Sequence, residues 1–271
     1  MKVGLIQTRT PATQDAALAH VLPMVREAAA GGARLIATPE GTNVLQKDKT
    51  TLFPLLRRLE DDPVVRGLQA AARELGVFIL LGSALVLRED GKAANRQALI
   101  APNGRIVATY DKLHMFDVDL PTGETARESE TYEPGDRAVV SDVDDLRLGH
   151  SICYDLRFPA LYRALALAGA QVLAIPAAFT RPTGEAHWEV LMRARAIETG
   201  SYVIAPAQGG FHEDGRGTWG RSIVVGPWGE VVARLDHDEP GVLLADLDPG
   251  AVARARAAIP ALANARAFTG P

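Results

Sequence analysis

The feature that most constrains the fold is an alternation that the chain runs through twice. Apolar runs of strand length are separated by segments with helical apolar spacing, and each half ends in a hairpin. In the first half, Val3 to Gln7 reads as a buried strand, Asp15 to Ala30 as a helix stopping at Gly31-Gly32, and "RLIATPE" as a second buried strand ending at Pro39-Glu40. Strand, helix, strand of this kind is a βαβ unit. Asp62 to Leu75 reads as a second helix and "VFILLGSALVL" as a third strand. "NRQALIAPNGRIVATYDK" follows as a hairpin around Pro102-Asn103-Gly104 that delivers Lys112 at its end.

The second half repeats the order. "LRLGHSIC" is a strand, Leu161 to Leu167 a helix, "AQVLAIPAAF" a strand and Glu185 to Thr199 a helix. "SYVIAPAQGG", a hairpin "SIVVGPWGEVVARL" around Pro227-Trp228-Gly229, and "GVLLADLD" complete the strands. Two sheets face to face with helices outside would bury all of these apolar strands, so the expectation is one α/β domain over residues 1–271. Residues 117–137 are polar, with Pro121, Gly123, Pro134 and Gly135, and read as a long surface loop of the kind that often carries function. The last residues, "AFTGP", are expected to fray.

A net charge of -4 and 47% hydrophobic residues describe an ordinary globular chain with no polyanion-binding signal, so nucleic acid is not an expected partner. "MKVGLIQTRT" reads as neither a secretory leader nor a membrane span, which points to a cytoplasmic protein with no membrane partner. A single cysteine cannot form an intramolecular disulfide and lacks the companions of a thiolate zinc site. A metal set of His114, Asp117 and Asp119 has no recognised ligand spacing, and no metal or other cofactor is expected.

Three ionisable residues stand where strands end: Glu40, Lys112 and Cys153. Each alone has a bland reading. A lone cysteine is commonly an inert small hydrophobe, a glutamate after a strand a helix N-terminal charge, and a lysine a solvated strand end. Together they supply a nucleophile, a carboxylate to take its proton and an ammonium for developing oxyanion charge, without any histidine. The ammonium is also expected to lower the thiol pKa. Cys153-Tyr154-Asp155 forms a strand-turn-helix elbow, which would aim the Tyr154 N–H at negative charge. His150, three residues earlier, points to the opposite face, while His114 and His187 read as structural and Trp188 and Trp228 as packing groups.

"ATPE", "YDKLHMFD" and "GHSICYDLRFPALYR" look like the three signature blocks of the nitrilase superfamily of carbon–nitrogen hydrolases, and the resemblance covers nearly the whole chain. It implies a Glu40-Lys112-Cys153 triad on a four-layer α-β-β-α sandwich, association at least into homodimers, and a second glutamate between the lysine and the cysteine, for which Glu128 in "RESETYEPGD" matches best. "AAFTRPTGEAHWEVLMRARAIETGSYVIAPAQGG" with "GRSIVVGPWGEVVA" is similar to the amidase branch that includes deaminated glutathione amidase and omega-amidase. Arg221 departs from that pattern, standing where a histidine is common. The implied reaction hydrolyses a small carboxylate-bearing amide to acid and ammonia through a cysteine thioester; a nitrile hydrolase and a non-catalytic scaffold are the rivals. Arg157 could hold a substrate carboxylate or pair with Asp155 or Glu189, and Arg181 and Thr183, placed in the loop after the strand ending at Phe179, are further substrate-contact candidates.

Overall fold

Side chains alternate across each strand, so an apolar strand feeds two cores at once. In the computed structural model, which describes residues 1–121 and 123–270, β1 (Lys2–Gln7) passes through α1 (Gln14–Ala30) to the parallel β2 (Leu35–Ala37). A single turn, α2 (Lys49–Leu52), and α3 (Pro63–Leu75) lead to β3 (Phe78–Leu87), parallel to β2, with β4 (Ala93–Ile100) and β5 (Ile106–Asp111) added antiparallel. After a small ribbon of β6 (Asp117–Asp119) and β7 (Thr125–Arg127) come β8 (Val140–Val143), β9 (Leu146–His150), α4 (Pro159–Leu167), β10 (Val172–Ala174), α5 (Arg181–Thr199) and β11 (Tyr202–Ala205). A second ribbon, β12 (Gly209–Phe211) with β13 (Gly217–Trp219), precedes β14 (Ile223–Val225) and β15 (Val231–Arg234). β16 (Gly241–Asp246) returns to the first sheet, antiparallel to β1, and α6 (Pro249–Ala258) follows.

Two six-stranded sheets result, ordered β16-β1-β2-β3-β4-β5 and β15-β14-β11-β10-β9-β8. Val3, Leu5, Leu35 and Leu80 of the first meet Leu148, Val172, Ile204 and Val224 of the second in a core between the sheets. Their strand neighbours Ile6, Ile36, Ile79 and Leu81 face α1 and α3. Leu173, Val203 and Ala205 face α4 and α5. The architecture is the four-layer α-β-β-α sandwich the sequence implied. Among the described residues no helix is long and apolar enough to cross a membrane.

The differences from expectation have local causes. Asp62 is not helical but caps α3, its carboxylate accepting the Val64 and Val65 N–H groups while Pro63 opens the helix. Residues 117–137 are not a featureless loop: they hold β6, β7 and a 3₁₀ turn at Glu128–Glu130, Thr122 lying outside the described residues. The second helix of the second half, α5, starts at Arg181 rather than Glu185, with Pro182 in its first turn. Arg181 and Thr183 are therefore helical and not loop residues. β8, the β12-β13 ribbon and α6 are further elements the sequence reading passed over.

Candidate active site

Parallel strands bring their C-terminal ends to one edge of a sheet, and here two sheets do so side by side. Glu40 follows β2 and Lys112 follows β5 in the first sheet; Cys153 follows β9 and Ala178 follows β10 in the second. Gly82 in β3 permits the approach, since a Cβ there would stand 1.9 Å from the Thr38 carbonyl oxygen, just ahead of Glu40.

Lys112 Nζ, almost fully buried, donates to Glu40 Oε1 at 3.0 Å and to both Glu128 oxygens at 2.8 Å. Asn95 Nδ2 donates to Glu40 Oε1 at 2.8 Å, and the Ala178 N–H to Oε2 at 2.9 Å. Glu128 also accepts the Phe116 N–H at 2.6 Å. It is therefore a largely buried partner of the lysine, not a solvated loop charge. The Cys153 thiol shares the cavity with the Glu40 carboxylate, and its backbone N–H is tied to the Pro176 carbonyl at 2.9 Å. Cys153 opens a 3₁₀ turn (Cys153–Arg157) at φ 49°, a left-handed conformation that only a few per cent of non-glycine residues adopt. The Tyr154 N–H meets no protein acceptor among the described residues.

Electrostatics fix the resting protonation. Burial works to raise the Glu40 pKa, but the Lys112 charge and hydrogen bonds from Cys153, Lys112 and Asn95 outweigh it and hold the carboxyl below its ordinary value. Burial likewise opposes the charge on Lys112; Glu128 and Glu40 together push it well above the usual lysine range. The thiol departs from expectation. Burial and then the Glu40 charge raise its pKa well above that of a free cysteine, against a smaller opposing effect of Lys112. At neutral pH the pair is a thiol facing a carboxylate beside an ammonium.

These groups sit in a cavity of about 660 Å³ that Phe116, Tyr154, Arg157, Phe179 and Thr183 also line. Arg157 pairs with neither Asp155 nor Glu189. Asp155 is occupied by Tyr110, His114 and the Ile152 N–H, and Glu189 by Arg234 and Arg193. The Arg157 guanidinium instead lies 5.6 Å from the Phe179 ring centroid and 5.9 Å from that of Tyr154, with His187 Nδ1 at 3.3 Å. Thr183 reaches the cavity, though its hydroxyl is shared with Thr180 at 2.8 Å. Arg181 does not line it; an ion pair with Asp238 and the Phe211 face hold it elsewhere. Arg221 is also outside, 4.5 Å above the Trp219 ring, so its departure from histidine does not alter the cavity lining.

His150 is pinned between Ser141 and Gln97, away from Cys153, and His114 stacks on Phe158 while bonding Asp155. Asp117 and Asp119 bond Ser129 and Arg127, and no metal-holding group of His, Cys, Asp and Glu occurs among the described residues. The sequence reading missed Asn95 and Asp155. Both carry a signal, since a buried-strand asparagine and an aspartate two residues past a nucleophile each need partners.

A thiol with its own base and a buried ammonium, set at the strand ends of an α-β-β-α sandwich, defines a class: hydrolases that attack an electrophilic carbon through sulfur. Comparison with known proteins narrows it. The carbon–nitrogen hydrolase family profile matches residues 2–257. A deaminated glutathione amidase of Synechocystis is 42% identical over 240 residues, covering 85% of this chain and 85% of that one. A human omega-amidase is 34% identical over 265 residues, covering 98% and 95%. The crystal structure of the Caenorhabditis elegans NitFhit protein superimposes with a TM-score of 0.91 at 31% identity, covering 98% of this chain and 65% of that longer one. The chain belongs to the carbon–nitrogen hydrolase family. It is a hydrolase acting on amides.

Proposed function

We propose that the chain hydrolyses the amide bond of a small carboxylate-bearing substrate, of the kind named for its deaminated glutathione amidase relatives, through a thioester on Cys153. The observation that supports this most directly is the convergence of Cys153, Glu40 and Lys112 in one cavity, with the ammonium bonded to the carboxylate at 3.0 Å. Glu40 takes the thiol proton as sulfur bonds to the amide carbon. Lys112 and the Tyr154 N–H meet the oxyanion that forms. Collapse breaks the C–N bond, and the proton on Glu40 passes to the departing nitrogen, leaving ammonia from a primary amide or an amine from a substituted one. Water, giving its proton to Glu40, then attacks the thioester; the acid leaves and the proton returns to sulfur. Glu128 holds Lys112 in place. Arg157, with no carboxylate partner among the described residues, anchors the substrate's acid group. No step draws on a cofactor.

Residues 1–271 act in this proposal as one domain, in a cytoplasm that keeps the lone cysteine reduced. We also propose a homodimer or larger homo-oligomer, supported by exposed Val190, Ile197 and Trp228 on α5 and the β14-β15 turn. Its solution mass tests that point. For the reaction, acid-amides, their neutral analogues and simple nitriles are compared by release of the acid product. Cys153→Ala should abolish turnover in a folded protein, and Arg157→Ala should raise the KM for acid-amides and remove most of the preference over neutral analogues. Near wild-type turnover by Cys153→Ala, or faster hydrolysis of neutral nitriles than of every acid-amide, would sink the proposal.

A further inference from the structure

Counting donors around Lys112 exposes a shortage. An ammonium has three N–H bonds, and Lys112 Nζ places them on Glu40 Oε1 at 3.0 Å and on the two Glu128 oxygens at 2.8 Å each. None is left for an oxyanion. To meet one, the ammonium must give up a bond that it already makes, and a buried carboxylate oxygen stripped of its donor is destabilised.

Asn95, near the start of β4, answers the shortage. Its Nδ2 donates to Glu40 Oε1 at 2.8 Å and to Glu128 Oε1 at 3.3 Å. Nζ holds these same two oxygens, so the ammonium and the amide bridge one pair of carboxylates from two paired strands. The carboxylates also fix which way the amide faces, because turned over it would set Oδ1 against both. The side chain is 3% exposed and Oδ1 has no partner among the described residues. The fold thus tolerates an idle buried acceptor while both N–H bonds rest on the carboxylates. The Lys112 backbone N–H donates to the Asn95 carbonyl at 3.0 Å, which sets the two donors side by side.

We infer that Asn95 is a positioning residue that holds Glu40 and Glu128 in place while Lys112 exchanges its bond to Glu40 for one to the oxyanion. This deepens the proposed reaction and rests on it. As sulfur bonds to the carbonyl carbon, the thiol proton passes to Glu40 and the C=O π pair moves onto oxygen. Glu40 is then a neutral acid, so the Nζ–H on its Oε1 is the one released most readily, and it turns to the oxyanion. Asn95 Nδ2 stays on Oε1 and keeps the carboxyl group from rotating. When the tetrahedral species collapses, the electron pair re-forms C=O, the C–N bond breaks and the Glu40 proton goes to nitrogen. Nζ then returns to the ionised carboxylate.

Two reactions of Cys153 separate this role from packing. Hydrolysis of p-nitrophenyl acetate or of an acid-amide develops an oxyanion, whereas alkylation by iodoacetamide displaces iodide and develops none. Asn95→Leu removes both donors at similar volume. At the pH plateau its kcat on ester and amide should fall about tenfold or more, the scale of one hydrogen bond to a charged group, with KM little changed. Its plateau alkylation rate should stay close to wild type. The charged and titratable groups facing Glu40 are Lys112, Cys153 and, across the shared ammonium, Glu128, with Tyr132 in the field of both glutamates. Loss of the neutral Asn95 donor leaves the carboxylate harder to ionise, so the acid limb of both reactions should move to higher pH. Asn95→Ser keeps one donor in a smaller side chain and should fall between wild type and Asn95→Leu in every measure; it carries the test if the leucine variant does not fold, as read by circular dichroism. Equal falls in hydrolysis and alkylation, or an acid limb that stays in place, overturn the inference and spare the amidase reading. Wild-type hydrolysis of the ester but of no amide overturns the amidase reading, and the ester and alkylation rates then decide on Asn95.

Discussion

Cys153 carries two costs that a packing cysteine would not: a left-handed backbone at φ 49° and a buried thiol in the field of the Glu40 carboxylate. A non-glycine residue in that conformation stores about 1 kcal/mol or more, which the tie from its N–H to Pro176 and the Asp155 bonds hold in place. Glycine has no such penalty, so the usual order of alanine over glycine should weaken or reverse here. Cys153→Gly is expected to unfold at a denaturant concentration at least as high as Cys153→Ala, although both are inactive. A glycine variant less stable by about 1 kcal/mol, the ordinary difference, would show the backbone unstrained. The sequence made the identities of Glu40, Lys112 and Cys153 legible because ionisable groups at the ends of apolar strands need an explanation. Their protonation was not legible, since it depends on how burial and two opposite charges balance at the sulfur.

Elements meet at the site through Asp155, which is fully buried and holds four donors: Tyr110 Oη at 2.6 Å, the Ile152 N–H at 2.9 Å, the His114 N–H at 3.0 Å and His114 Nδ1 at 2.7 Å. His114 stands two residues past Lys112, and Asp155 two residues past Cys153. The bond between them therefore sets the lysine-bearing strand end against the cysteine elbow. Asp155 is a positioning residue, touching no substrate. Asp155→Asn keeps its shape but weakens the charge-assisted bonds, so kcat should fall about tenfold or more while KM changes little. A matched loss in KM with kcat intact would assign Asp155 to substrate binding instead, and unchanged kinetics would remove it from the site. None of this could be read from spacing. Hydrophobic periodicity reports which strands are buried, and it says nothing of which strand ends share one carboxylate. For the same reason the polar stretch around Glu128 read as loop: short ribbons such as β6-β7 lack the apolar alternation that announces a strand.

Over the whole molecule the layers were legible because the strands of both halves are near-continuous apolar runs, and two stacked sheets with helices outside bury both faces of each sheet. The return of β16 to pair with β1 was not, since pairing partners leave no local trace in a strand's own sequence. The polar residues that join the sheets were also hidden. His150 of β9 bonds Gln97 of β4 across the interface and Ser141 of β8 beside it. Burial lowers its pKa to about 4, and His212 is likewise lowered to about 4 by burial. Both are neutral in the folded protein, while in the unfolded chain each titrates near 6.5. The stability they contribute is therefore fully present above pH 6.5 and is lost as pH falls from there towards 4, because the unfolded state takes up protons that the fold excludes. Each histidine should account for roughly 2 to 3 kcal/mol of that loss. Glu40, held below the ordinary carboxylate range, adds its own loss only at lower pH. Guanidinium unfolding at pH 7 and pH 4.5 should show a clear fall in stability for the wild-type protein. In His150→Gln, whose side chain does not titrate, that fall should shrink by about half the two-histidine contribution, even if the variant is less stable at pH 7. An unchanged difference between the two pH values would mean that His150 is already protonated in the fold, and that the sheets are joined by a charged pin rather than a neutral one.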